Sequence, residues 1–193
     1  MKRLVVAIGV LLLGTSEIAQ AAEHCMNTAE GAAWKAEYPD IYSKLMGYFT
    51  CQDPGDPVAC NVFVARAAEG VYGVTDFKRA DGTYMTANTI MDFVKTNSAW
   101  SKLGMANSQS VLNDASAGAQ DHLIIAVMSD QPHGHVALVL PGNPMYSGNW
   151  KLNVPNSASA FLGNVDKAYV FCRLAWAFSA PAKVELWWRP KGN

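Results

Sequence analysis

The chain is short of cysteine, with four in 193 residues, and it lacks any surplus of one charge, with 15 basic against 16 acidic residues. It has no apolar run of the about 20 residues that a membrane-crossing helix needs, and no internal repeat, low-complexity tract or linker. The charge balance excludes an electrostatic case for nucleic acid or an anionic membrane as partner. The absence of a long apolar run argues against stable membrane insertion, and the absence of linkers predicts one compact unit. What the chain does have begins at its N-terminus. Lys2 and Arg3 precede an apolar run over residues 5–13, and "AQA" at residues 19–21 reads as a small-residue cleavage site. This is the pattern of a secretory signal peptide over residues 1–21, and it predicts a protein exported to a periplasm or outside the cell. Loss of two basic residues, Lys2 and Arg3, and one acidic residue, Glu17, takes the net charge from −1 to −2. The remainder, residues 22–193, has a length suited to a single domain.

Export changes how the cysteines read, because disulfides persist outside the cytosol. Cys25, Cys51, Cys60 and Cys172 allow two bridges, or one bridge with Cys60 left as a free thiol. The favoured pairing is Cys25 with Cys172, since a bridge closing a long loop constrains the unfolded chain most. Cys25 with Cys51 is the alternative.

Apolar spacing predicts helices over residues 29–48, with a break at Pro39. "CQDPGDPVAC" (residues 51–60) is a turn-rich loop. A further helix runs from Cys60 until Gly73 stops it, and another covers residues 86–96 with Thr86 or Asn88 as cap. Residues 107–120 are small and polar, a helix or a mobile loop. "HLIIAVMS" (122–129) and "HVALVL" (135–140) around "DQPHG" predict a β-hairpin. "NWKLNV" and "KVELWWR" are further strands, with turn and short helix expected between residues 155 and 164. Helices first and an antiparallel sheet afterwards is the order of an α+β domain. Trp150, Trp187 and Trp188 are candidates to stack on sugar rings, but whichever of Trp187 and Trp188 points inward is expected to pack, and Met85, Met91 and Met105 to fill the core.

Two short stretches carry chemistry. Cys60 stands at a helix start, where free N–H groups and the helix dipole lower a thiol pKa, and His135 opens a strand. A thiolate, an imidazole that transfers its proton and a polar group that orients the imidazole suffice to hydrolyse an amide. The alternative for Cys60 is a buried thiol or a bridge to Cys51, which would leave a groove that binds without turnover. His133 and His135 form an H-x-H pair that zinc would accept on one strand face, although His24 and His122 beside Asp121 lie at spacings that do not match a zinc endopeptidase.

The order "CNVFVARAAEGVYGV", a polar helical segment, then "DHLIIAVMSDQPHGHVALVLPG" resembles the NlpC/P60 branch of the papain-like fold. It is most similar to the peptidoglycan amidases delivered by type VI secretion, over residues 60–142. The resemblance implies N-terminal helices packed on an antiparallel sheet. It also implies a cysteine amidase with Cys60 as nucleophile and His135 as base, acting on peptidoglycan stem peptides between D-glutamate and diaminopimelate. The third position falls where the likeness fades; Asn156 is the first candidate to orient the imidazole and Asn153 the second. The backbone N–H of Cys60, with Gln52 as a second donor, would meet the oxyanion. Neither metal nor organic cofactor is implied. The expected partner is peptidoglycan, with an inhibitor or immunity protein as a candidate second one, and the expected state is monomeric. The signal peptide departs from injected amidases, which generally need none, and so leaves open whether the protein remodels its own envelope or attacks another cell.

Overall fold

The computed structural model describes residues 29–49, 62–161 and 167–192. These form an α+β structure with five α-helices and one six-stranded antiparallel sheet. The helices are α1 (Ala29–Glu37), α2 (Pro39–Phe49), α3 (Val62–Tyr72), α4 (Ala87–Thr96) and α5 (Gln109–Gly118). The strands are β1 (Ser101–Met105), β2 (His122–Met128), β3 (His135–Ser147), β4 (Leu152–Ser159), β5 (Tyr169–Arg173) and β6 (Glu185–Pro190), in spatial order β1-β6-β2-β3-β4-β5.

Local signals built several of these elements. Pro39 lacks the N–H that would continue α1, so the chain restarts there as α2. Thr86 caps α4 by accepting from the Thr89 N–H at 3.3 Å. The β2–β3 hairpin pairs Ile125 with Leu138 and Met128 with His135, and its turn is clamped by Asn88 from α4. The Asn88 amide donates to the Asp130 carbonyl at 3.0 Å, and its Oδ1 accepts from Ser129 and from the Asp130 N–H.

Helices cover both faces of the sheet. On one face, α1 to α4 bury Trp34, Leu45, Phe63, Ala67 and Ile90 against Leu123, Ile125, Val136, Leu138 and Leu140. On the other, α5 and the turns after β5 bury Leu112, Ala115, Leu174 and Phe178 against Ile124, Ala126, Ala137 and Val139. Both faces of β2 and β3 are therefore dry, which is why these strands read as unbroken apolar runs. Trp150 and Trp187 are buried and Trp188 is half-buried; Met91 is buried, and Met85 and Met105 are half-buried.

Two sequence expectations change. Strand β4 starts within the strand expected at "NWKLNV" but runs on through residues 155–159, which overturns the turn and short helix expected there from Pro155, Asn156, Ser157 and Ser159. Its side chains are almost all buried, and its backbone pairs with β3 on one side and β5 on the other. β1 and β5 were not anticipated: β1 is interrupted by Gly104, and β5 is short. In β5 the pairing shifts between Ser157 and Ala158, with Phe171 as the extra residue at φ 60°. This bulge lets Val170 and Phe171 both face the first core, while Cys172 joins a cluster with Tyr169. The polar segment around residues 107–120 resolves as the helix α5.

An ion pair ties the C-terminal strand to the α3–α4 connection. The Arg189 guanidinium donates to both oxygens of Asp76, and the Trp100 indole donates to the same carboxylate at 2.9 Å.

Candidate active site at the start of strand three

His135 is the first residue of β3, at the end of the sheet where the β2–β3 hairpin turns. The chain reaches it through Gly134, where a Cβ would lie 2.6 Å from the Met128 carbonyl oxygen and would collide with Asn88 Oδ1. Glycine is therefore needed to bring the hairpin and α4 this close. The imidazole is mostly buried. It stacks on Phe161 with ring centres 4.6 Å apart and meets Phe178 edge-on at 5.2 Å. Burial in this aromatic setting pulls its pKa down to about 4, because the charged form loses its water. At neutral pH the ring is neutral, the form in which a histidine accepts a proton.

The partner of the ring is Ser159, whose Oγ lies 2.9 Å from Nε2. The same hydroxyl stands 3.3 Å from the Val136 carbonyl and 3.4 Å from that of Ala160. The hydroxyl and Nε2 share one hydrogen bond, in which the tautomer of the ring decides which of them donates. Nε2 is thereby the ring nitrogen that Ser159 holds. Ser159 is fully buried, where its hydroxyl can hold the imidazole but meets no substrate.

Asn156 does not take that role. It is wholly buried, and its amide is spent on the backbone: Nδ2 donates to the Pro141 carbonyl at 3.0 Å, and Oδ1 accepts from the Ser157 N–H at 2.9 Å. Its pairing with Leu140 puts it on the helix-rich first face, five residues along β3 from His135. Asn153 is farther still, opposite Tyr146; its backbone exchanges hydrogen bonds with the Gln109 side chain at 2.9 Å in each direction. Both asparagines are therefore withdrawn as partners of the imidazole, since strand register separates them from it.

Cys60, Gln52, Cys25 and Cys51 lie outside the described residues. Cys172 is disulfide-bonded. The helix that follows Cys60, α3, packs on the first face of the sheet, whereas the imidazole leans on Phe178 on the second. A group at the start of α3 meets His135 only around the end of the sheet. His133 is exposed in the hairpin turn, and among the described residues no three His, Cys, Asp or Glu side chains converge as a metal would require.

Sequence reasoning missed Ser159 and Asn88. The signal for Ser159 was the alternation of small and polar residues in "NSASA", which fits a strand with one face on His135. Compared with protein-family models and with curated proteins, the chain matches none.

Proposed function

We propose that this protein is an exported cysteine amidase of papain-like, NlpC/P60 type that hydrolyses stem-peptide bonds in bacterial peptidoglycan. The observation that carries the reading is the His135–Ser159 pair: a mostly buried imidazole at a strand start, with Nε2 held by the hydroxyl. In this mechanism the Cys60 thiolate attacks the amide carbonyl carbon, and the protonated His135 gives its proton to the departing amine. Water, deprotonated by His135, then hydrolyses the acyl-enzyme. A thiolate beside the ring would raise the imidazole pKa and so sustain the ion pair.

The run of the helices supports a meeting at this end of the sheet. Tyr38, just before α2, meets Gln120 near the start of β2, and Phe49 at the end of α2 stacks on Phe63 in the first turn of α3 at 4.4 Å. The C-terminal end of α3 is tied to the far end, where the Gly192 N–H donates to the Tyr72 carbonyl at 2.9 Å. Gly192 follows β6, whose Pro190 pairs with His122, at the opposite end of β2 from the Met128–His135 pair. The C-terminal end of α3 thus lies away from the His135 end.

A second reading, a wall-binding protein without turnover, is favoured by the side on which the imidazole sits, opposite the face that α3 covers. Alkylation separates the two. A Cys60 thiolate paired with His135 reacts with iodoacetamide well below pH 8.5, the ordinary thiol range of about 8–9, and His135→Ala shifts that reaction upward. A Cys60 that resists alkylation, or that follows the ordinary thiol curve in both proteins, favours the binder.

A further inference from the structure

Beside Phe178 the surface opens into a cleft of about 440 Å³. Phe178 touches the imidazole and also lines the cleft, so one residue borders both places. Trp176, in the 3-10 turn Leu174–Trp176 after β5, also lines it and is 56 % exposed. Its neighbours Leu174 and Phe178 are buried, so the turn sends one large ring outward when the second core lies directly beneath it. An indole offers an apolar face and a polar N–H edge, the pair of surfaces a sugar ring presents in turn.

The rest of the lining is polar. Asn149 and Ser179 are exposed, and Arg173 reaches the cleft from the end of β5. The Arg173 guanidinium pairs with Glu30 through one nitrogen at 3.6 Å, with both side chains 36 % exposed. A guanidinium has five donors in a planar fork, so this single long contact leaves capacity for a second carboxylate.

We propose that the cleft binds an amino-sugar ring of a carboxylate-bearing glycan. The Trp176 face covers the C–H face of the pyranose, Asn149 and Ser179 meet hydroxyl and acetamido groups, and Arg173 takes the carboxylate. The identity of the glycan rests on the peptidoglycan reading above. A glycan strand seated here lies against Phe178, the residue that also touches His135.

Calorimetric titration of the mature Cys60→Ala protein tests this without turnover. The probes are the N-acetylglucosamine tetramer and peptide-free peptidoglycan glycan chains, the second carrying carboxylates. Both bind saturably, Trp176→Ala weakens both by about tenfold, Trp176→Phe retains most of the affinity, and Arg173→Gln weakens only the carboxylate-bearing chains. Near-ultraviolet circular dichroism confirms that each variant is folded. The proposal is overturned if the folded protein shows no saturable binding to either glycan, or if Trp176→Ala binds both as before. Equal effects of Arg173→Gln on the two probes remove the carboxylate from it. Glycan binding by a protein that never cleaves stem peptides would refute the amidase and leave the cleft standing; cleavage without glycan binding would do the reverse.

Discussion

Ser159 Oγ sits 2.9 Å from His135 Nε2 in a pocket closed by Phe161 and Phe178. The hydroxyl holds the ring's orientation through this bond. Ser159→Ala leaves Nε2 without its partner and costs about 1–3 kcal/mol of stability, read from urea unfolding. In the proposed amidase it also lowers kcat more than KM, whereas Ser159→Thr, which keeps the hydroxyl, restores part of the rate. A kcat unchanged by Ser159→Ala would remove the orienting role.

The buried imidazole makes stability depend on pH. Its folded pKa of about 4 lies below the roughly 6.5 of an unfolded histidine, so the unfolded chain takes up the proton first. The contribution is fully present above about pH 6.5 and is lost as pH falls from there toward 4, reaching on the order of 3 kcal/mol. Unfolding should be followed at pH 7.5 and pH 4 in a Cys60→Ala background, which removes any thiolate. The excess loss at pH 4 disappears in His135→Gln; parallel behaviour of the two proteins would show that the ring is not buried in its neutral form.

Asn156→Ala is predicted to act on stability alone. It orphans the Pro141 carbonyl and the Ser157 N–H in a dry strand, a loss of about 2–4 kcal/mol. Any remaining folded protein should keep its kcat, and Asn153→Ala, at an exposed position, should change little. A selective loss of kcat in Asn156→Ala would return that residue to the site.

Much of the fold was legible because its signals are local. The break at Pro39, the Thr86 cap and the apolar hairpin at residues 122–140 each depend on a few neighbouring residues. β1 escaped because Lys102 and Gly104 give it little strand character, and it forms by pairing with β6. The second part of β4, from Pro155 on, escaped for the opposite reason: its serines and asparagine read as a turn, yet each is satisfied inside the sheet, Asn156 by the Pro141 carbonyl, Ser157 by the Cys172 carbonyl at 2.8 Å and Ser159 by His135. His135 was legible as a candidate from its motif. Its partner was not, because cross-strand register decides which polar residue stands beside it, and that register depends on β3 and β4 pairing correctly.

Asp76→Ala tests the pin on the C-terminal strand. Removing this carboxylate leaves the part-buried Arg189 with only the Pro190 carbonyl and the Trp100 indole without its acceptor, with an expected loss of about 1–3 kcal/mol measured as a lower urea midpoint. Asp76→Asn, which keeps an acceptor, should lose less. Equal losses would mean that charge alone accounts for the pin.

The most direct measurement is mass spectrometry of peptidoglycan incubated with the mature protein, beside Cys60→Ala and His135→Ala. The account predicts new stem-peptide fragments with the unaltered protein, and none with either variant, both of them folded. Intact peptidoglycan in every sample while the Cys60 thiol is free, or fragments that persist in both variants, would contradict it.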